Sequence, residues 1–497
     1  MEKTLRQDND EPRPYQLVYQ LAELIHPSPD VATPTPLWLQ AIALSLLEGI
    51  SNFQVKYQDV LSALNANVNH GVLLYVIRTA VAGMKEPDDD DSEKLTEADV
   101  WRNNLFSLTL HMTIGSRVGG EMISAGLMEI LVEILNIRSK VADRNHSMVL
   151  AFLDGLIYNY QGAFQTFASA NGLDSIAQLI IDSATEAKEL TAAGHGTPSA
   201  CQSNVVDYEI PFYQQQTLKW LLKLIHHIMT SSYSYGGNTD RLLRNLVDNS
   251  DLLGSLRSII ESTKSFGSVV WTNSVTILSD FINNDPTSFA AISESGMIQS
   301  FLEAITGRPV LPLNQPSEEQ QQPAESAENE DGEPSSPASS ESSLVLETDE
   351  RAHPPTKEML QAPRDRALAQ GILPSAEAIT AIPTVLNSIC LNGAGMKMVV
   401  SSRVLDSFLE IFESPAHVRC MDTDMDLAAN TGSGFDELAR HHPSLRPTIA
   451  NAVLDMVARL AHMGRQKAVV SGWGTKLLVT DPKGKVLVAD ESLLDKA

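Results

Sequence analysis

The sequence predicts an all-α protein, an armadillo- or HEAT-like helical solenoid with a long disordered acidic insertion. Apolar residues recur at helical rather than alternating spacing, as in the segment 218–229. One apolar signature returns along the chain, and two of its intervals are 45 residues long. Armadillo and HEAT repeats have periods of about 40–47 residues, so this interval favours that architecture.

The repeated signature is an apolar residue followed by others three, six and seven positions later. This spacing places all four side chains on one stripe of a helix. Its five copies begin at Met128, Leu173, Leu253, Ile298 and Leu405. The two longer intervals, of 80 and 107 residues, contain polar insertions. We therefore expect each repeat to bury its stripe against its neighbours.

Shifts in composition divide the chain into segments. A run of four aspartates indicates a linker, and a stretch rich in Gly, Ser, Ala and Thr indicates a loop. Residues 309–356 contain 11 acidic residues and one arginine and bury too little apolar surface to fold alone. The predicted segments are an N-terminal helical segment (1–85), an acidic linker (86–98), armadillo-like repeats (99–184), a flexible loop (185–209), further repeats (210–308), the disordered acidic insertion (309–370), a last set of repeats (371–465) and a C-terminal tail (466–497). Within the tail, residues 477–480 and 485–488 predict two short strands.

Capping residues predict several helix starts. Thr96 and Asp99 fit a capping box, and Asp285 and Ser414 each precede a proline at an expected first helical position.

Three asparagines, Asn159, Asn284 and Asn392, are expected to close helices in corresponding repeats. Asparagine tolerates the left-handed conformation that ends many helices, so a C-terminal cap is one interpretation. The other is a ladder of asparagines that grips an extended peptide, as armadillo grooves can do. The three residues are therefore the candidate groove residues.

Charge and composition restrict the partners. The 497 residues contain 36 Lys and Arg against 62 Asp and Glu, for a net charge of −26. Direct nucleic-acid binding is disfavoured because phosphates are held by clustered cations, whereas basic protein clients are favoured. No apolar run reaches the roughly 18–20 residues of a membrane span, and three cysteines are too few for a disulfide framework. We expect a soluble, intracellular protein that binds no membrane.

Motifs for nucleotide, metal or nucleophilic chemistry are absent: the sequence contains no GxxxxGK[ST], HExxH, CxxC or GxSxG. Cys390 lies in an apolar run and Cys201 in the predicted loop. Cys420 follows His417 and Arg419, which are residue types that can lower the pKa of a thiol, but one nearby histidine makes no oriented dyad. We expect no catalytic residue and no cofactor.

Metal ligands are not expected either. The alternating aspartates at 422, 424 and 426 begin like a calcium loop, which then breaks at Leu427 and Ser433. The histidine pair at 226–227 lies within a core helix and is expected to pack there. The pair at 441–442 is expected to be structural or exposed, since no cysteine or third histidine is near.

Several ordered blocks resemble the giant HECT-class ubiquitin ligases, the armadillo-rich ligases of the fungal Tom type and their animal counterparts. The resemblance covers about residues 105–463, apart from the acidic insertion. The blocks are 271–274, 281–289, 295–297, 373–383, 408–415, 435–438 and 440–445.

The resemblance implies an armadillo scaffold that carries a distant catalytic domain, which accepts ubiquitin on a cysteine and passes it to a client lysine. This chain contains no such domain, so no catalytic residue carries over. The expected function is the non-catalytic scaffold and client-binding portion of such a ligase, with ubiquitin machinery reached through the parent protein, in cytoplasm and nucleus. The alternative is a free-standing armadillo adaptor that binds extended peptides or basic proteins.

Overall fold

The computed structural model of the chain describes most of the residues on either side of the acidic insertion. The described residues are 5–6, 8–26, 34–65, 71–85, 95–113, 117–160, 162–198, 201, 206–230, 246–310, 368–424, 426–467, 476–480 and 486–490.

Helices dominate the described residues. In chain order they are α1 (Leu17–Ile25), α2 (Leu37–Ser51), α3 (Gln54–Leu64), α4 (Val72–Met84), α5 (Glu97–Thr113), α6 (Arg117–Ser124), α7 (Leu127–Leu135), α8 (Lys140–Asn159), α9 (Ala163–Ser169), α10 (Gly172–Ala192), α11 (Phe212–Thr230), α12 (Ser250–Glu261), α13 (Thr263–Asn284), α14 (Phe289–Glu294), α15 (Met297–Thr306), α16 (Ala376–Cys390), α17 (Gly393–Ser402), α18 (Val404–Leu409), α19 (Pro415–Thr423), α20 (Leu427–His441) and α21 (Arg446–Lys467). Short 3-10 turns lie at Arg13–Tyr15, Pro286–Ser288, Glu410–Phe412 and Pro443–Leu445.

Two stacks of helices run through the molecule. Ladder A consists of α2, α5, α8, α11, α13, α16 and α20, and each of these helices packs on the next. Ladder B consists of α4, α7, α10, α12, α15, α18 and α21, which pack in the same sequential way. Each helix meets its counterpart in the next repeat, so the predicted helical solenoid is confirmed.

The repeated apolar signature belongs to ladder B. Its five copies lie on α7, α10, α12, α15 and α18, the last continuing into the turn Glu410–Phe412. All five anchor residues are buried. The spacing in the sequence therefore marks the stripe by which each ladder B helix faces the core.

A polar contact also repeats along ladder B. The Asn136 side-chain amide donates to Ser175 Oγ at 3.0 Å, and Ser300 Oγ donates to Glu261 Oε1 at 2.8 Å. Asn136 and Glu261 each lie eight residues after a signature anchor, and their serine partners each lie two residues after the next anchor. The repeat thus reproduces contacts as well as apolar burial.

Trp271 joins the two ladders. Its fully buried ring on α13 stacks on Phe301 of α15 with 6.3 Å between ring centroids. Its indole N–H donates to the Ile260 carbonyl at 3.1 Å, which satisfies the one polar group of the ring. The block around residue 271 that resembles the ligases therefore forms part of the core.

Most predicted helix starts are confirmed. Thr96 and Asp99 form the expected capping box, since the Asp99 amide donates to Thr96 Oγ1 and the Thr96 amide to Asp99 Oδ2. Asp285 accepts from the Thr287 amide at 3.0 Å. Helix α19 begins at Pro415 as predicted, but the Ser414 side chain makes no capping bond.

The loop predicted over 185–209 is shorter in the structure, because α10 continues to Ala192. The end of that segment is held by hydrogen bonds: the Glu209 amide donates to the Ser265 carbonyl at 3.0 Å, and the Thr197 amide to the Glu209 carbonyl at 2.8 Å. The acidic runs 86–94 and 311–367 lie outside the described residues, so their predicted disorder stays a prediction.

The two strands predicted in the tail are confirmed. β1 (Lys476–Thr480) and β2 (Val486–Asp490) form an antiparallel hairpin in which Leu478 pairs with Val488.

Candidate functional site

The candidate site is the side of ladder A around α11 that the other described helices leave accessible. On α11, the solvent-accessible positions 216, 219, 220, 223, 226, 227 and 230 recur every three or four residues and form one stripe. We call this stripe, with the flanking accessible residues of α8, α13 and α16, the open face of ladder A.

Two histidine–aspartate pairs tie α11 to its neighbours on this face. His227 Nδ1 donates to Asp154 Oδ1 of α8 at 2.7 Å, and His226 Nδ1 donates to Asp280 Oδ2 of α13 at 2.6 Å. The hydrogen bond to Asp280 raises the pKa of His226, against the opposing effect of burial. The expectation that both histidines pack in the core is wrong, because their side chains are 37% and 40% exposed.

Side-chain hydrogen bonds continue along ladder A on both sides of these pairs. Asp99 of α5 pairs with Arg144 of α8 at 2.9 Å, and the hydroxyls of Ser279 on α13 and Ser388 on α16 lie 2.7 Å apart. The helices run parallel, since the pairs join residues at similar positions along consecutive helices. The ladder is therefore held in register by polar contacts as well as by apolar packing.

The predicted groove asparagines are placed differently from one another. Asn159 and Asn284 are the exposed last residues of α8 and α13, and each amide donates to the carbonyl four residues earlier, of Gly155 and Asp280. Both lie at the same end of ladder A, on the two helices that flank α11.

Asn392 opens a helix instead of closing one. It is the N-cap of α17, where its side-chain oxygen accepts from the Ala394 amide at 2.9 Å. The left-handed cap interpretation is wrong for all three asparagines, because none of them has a positive φ. Helices α8 and α13 end one residue later in extended or irregular backbone. The role of the three asparagines as groove residues stays a prediction.

Neither Cys390 nor Cys420 is activated as a nucleophile. Burial raises the pKa of Cys390 to about 12. Burial and the charges of Glu377 and Asp424 raise the pKa of Cys420, so the nearby His417 and Arg419 do not give this thiol a lowered pKa. A raised pKa leaves less reactive thiolate at neutral pH.

His417 is not a base for Cys420 either. Its Nε2–H donates to the Ile372 carbonyl at 2.8 Å, and Ser414 Oγ–H donates to Nδ1 at 2.8 Å. Both ring nitrogens are thus occupied, and burial lowers the pKa of this histidine. The side chain joins α19 to the segment before α16 and has a structural role.

The histidine pair 441–442 contacts α16. His442 Nε2 lies 3.2 Å from Asn387 Oδ1, and His441 lies within 3.4 Å of the same amide.

Among the described residues, no group of three or more histidine, cysteine, aspartate or glutamate side chains has an arrangement that could hold a metal ion. In the same part of the chain, no helix combines the length and apolar character required to span a bilayer.

Sequence reasoning missed Lys219, Trp220 and Lys223, which occupy the middle of the open face. Lys223 Nζ lies 4.5 Å from the centroid of the Trp220 ring, within cation–π distance. A helical projection of α11 could have indicated that these residues are accessible, because they fall opposite its buried leucines.

Comparison with known proteins gives the family. Residues 147–496 match the family described as Domain of Unknown Function (DUF913), and residues 1–82 match a second, DUF908. The chain belongs to the DUF913 family. The match covers the helices from α8 onward, and therefore most of ladders A and B.

Named relatives of this DUF913 chain are ubiquitin ligases. It is 57% identical to "E3 ubiquitin-protein ligase TOM1-like" of Neurospora crassa over 96% of its own length and 12% of that protein. It is 19% identical to "E3 ubiquitin-protein ligase HUWE1" of Mus musculus, over 86% of the chain and 8% of that protein. The resemblance to the fungal Tom-type ligases and their animal counterparts is confirmed, and the chain spans about an eighth or less of these relatives.

Among solved structures, the chain aligns with a designed armadillo repeat protein in complex with the peptide (KR)4. The alignment has a TM-score of 0.34 and 15% identity, and it covers 59% of this chain and 92% of the designed protein.

Proposed function

We propose that this chain is the non-catalytic scaffold and client-binding portion of a HECT-type ubiquitin-protein ligase. The observation that carries the proposal is the 57% identity to a named ligase over 96% of the chain, which is only 12% of that ligase. The chain supplies helical surface, and a distant domain of the parent protein supplies ubiquitin transfer.

The state of the cysteines supports a non-catalytic role. A transferase that carries ubiquitin as a thioester requires an accessible cysteine with a thiolate that can attack. Cys390 is buried, and Cys420 has a raised pKa with no oriented base. Cys201 is exposed, but it lies in a glycine- and serine-rich stretch without a predicted base.

The charge of the chain supports basic protein clients. With a net charge of −26, the molecule attracts cationic surfaces over distances comparable to the Debye length. We propose that such clients are met in both cytoplasm and nucleus, where the parent ligase would act on them.

A two-part experiment on a full-length ligase of this family tests the proposal. Deletion of the region that corresponds to this chain should leave the ubiquitin thioester on the catalytic domain intact and should abolish transfer to a basic client. Unchanged client ubiquitination would contradict the client-binding role. The isolated chain, incubated with activating and conjugating enzymes, should form no reducible ubiquitin adduct, and an adduct lost in Cys201→Ser or Cys420→Ser would contradict the non-catalytic role.

A free-standing adaptor is the second candidate, because the same helical solenoid can present a binding surface outside a ligase. The size of the native polypeptide separates the two. An immunoblot of cell extract with an antibody against residues 271–305 should detect a species several-fold heavier than 54.1 kDa. A band at 54.1 kDa would instead support the adaptor.

A further inference from the structure

The middle of the open face of ladder A is cationic, although the chain as a whole is strongly acidic. Lys219 and Lys223 lie one helical turn apart on α11, with Trp220 between them. Within the described part of the chain, neither ammonium group forms an ion pair with a carboxylate, and Lys223 instead contacts the Trp220 ring. We call these three residues the lysine–tryptophan patch.

The surroundings leave this charge uncompensated. The acidic residues of α8 and α13 are Asp143, Asp154 and Asp280. Asp143 lies 3.5 Å from His146 Nδ1, and Asp154 and Asp280 already accept hydrogen bonds from His227 and His226. The latter two pairs set the register of the neighbouring helices. By that register, the accessible positions that flank the patch are uncharged; they are Ser147 and Ala151 on α8, and Asn273 and Thr276 on α13.

We propose that the lysine–tryptophan patch binds an extended acidic segment of a partner protein. Charge complementarity favours carboxylates at Lys219 and Lys223, since each ammonium lacks an acidic partner among the described residues. The indole of Trp220 provides a rigid apolar surface for an intervening side chain. Recognition thus combines two charges with one aromatic anchor.

Spacing favours alternate carboxylates in an extended chain. Four helical residues rise about 6 Å, which separates Lys219 from Lys223 along α11. Alternate side chains of an extended peptide lie about 6.6 Å apart on one side of the backbone. The Asn273 amide, which reaches the Lys219 carbonyl at 3.4 Å, keeps its side-chain oxygen and second N–H for the peptide backbone.

Fluorescence anisotropy with the whole chain tests this assignment. The probe is a labelled eight-residue peptide of alternating glutamate and leucine, and the comparison peptide has glutamine in place of glutamate. We expect the acidic peptide to bind at least tenfold more tightly, and Lys219→Glu with Lys223→Glu to remove that preference. Trp220→Ala should weaken both peptides, since it removes the apolar anchor. The matched control is Lys397→Glu with Arg308→Glu, which changes the net charge equally at exposed positions outside ladder A and should leave binding unchanged.

Three results would overturn the proposal. The first is equal affinity for the two peptides, or equal losses in the patch and control variants. The second is tighter binding of an eight-nucleotide single-stranded DNA than of the acidic peptide, which would assign the patch to nucleic acid. The third is a tenfold or larger gain in affinity when residues 311–367 are deleted, because the occupant would then be the acidic insertion of the same chain. Circular dichroism of each variant verifies that the helices are retained.

Discussion

At the scale of single residues, Asp99 has the most demanding environment in ladder A. Its carboxylate is 1% exposed and accepts from Arg102 at 3.1 Å and from Arg144 at 2.9 Å, and both arginine side chains are at most 8% exposed. It also accepts from the Thr96 amide, which begins α5. One aspartate therefore caps a helix and neutralises the buried junction of α5 with α8.

Asp99→Ala should destabilise this junction by about 3–5 kcal/mol, because it leaves two buried guanidinium groups without their carboxylate. Hydrogen exchange of amides in α5 and α8 measures the local opening free energy. Asp436→Ala is the matched control: its pair with Arg440 is exposed, and exposed pairs contribute about 0–1 kcal/mol. Equal effects of the two substitutions would contradict this account of Asp99.

A second prediction at this scale concerns His226. The hydrogen bond to Asp280 raises the pKa of His226 above its unfolded value, so the folded chain binds the imidazole proton more tightly than the unfolded chain does. That stabilisation is fully present below the unfolded pKa of about 6.5 and is lost as pH rises through the folded value. Asp280→Asn should therefore destabilise α11 and α13 more at pH 6 than at pH 8.5 in hydrogen exchange. An equal effect at both pH values would contradict the prediction.

At the scale of elements, α13 is two helical pieces joined by a kink. Gly267 at the kink has φ 77° and ψ 170°, a conformation that L-residues rarely adopt. A Cβ atom there would lie 2.7 Å from Asp207 Oδ1 and 2.9 Å from the Cβ of Tyr208. Asp207 Oδ2 accepts from the Ser268 amide at 2.9 Å and so caps the second piece. The kink thus turns α13 into line with ladder A while the preceding segment packs against it.

Gly267→Ala should destabilise α13 by about 1–3 kcal/mol, because it combines backbone strain with a steric clash. Gly254→Ala on α12 is the control, since a Cβ there meets nothing within 4 Å. That substitution should stabilise its helix by about 0.5–1 kcal/mol. The midpoint of thermal unfolding should fall in Gly267→Ala and rise in Gly254→Ala. A shift of both midpoints in the same direction would contradict the role assigned to the backbone conformation of Gly267.

At the scale of the whole molecule, the net charge of −26 predicts salt-sensitive binding of basic clients. The Debye length falls from about 10 Å at 0.1 M salt to about 3 Å at 1 M, so long-range attraction is screened. A labelled peptide of alternating lysine and arginine should lose at least tenfold in affinity across that range. Lys219→Glu with Lys223→Glu should not weaken it, which distinguishes this binding from that of the lysine–tryptophan patch. Constant affinity would contradict electrostatic recruitment.

Features set by residues close in the chain could be predicted from the sequence. The five apolar stripes identified ladder B because 3.6-residue periodicity is written directly into residue order. The capping box at Thr96 and the hairpin in the tail depend on neighbours within a few positions. Asn392 shows the limit of such reasoning: the helix ends two residues earlier than expected, which converts a supposed C-cap into an N-cap.

The contacts between helices of ladder A that are distant in the chain could not be predicted from the sequence. His226 and Asp280 are 54 residues apart, and His227 and Asp154 are 73 apart, so only the packing of α11 between α8 and α13 brings them together. The pKa of Cys420 follows the same logic, since Glu377 on another helix helps to raise it above the value its sequence neighbours suggested. Local periodicity determines which helices form, whereas side-chain contacts across the ladder depend on a register that emerges only when the repeats stack.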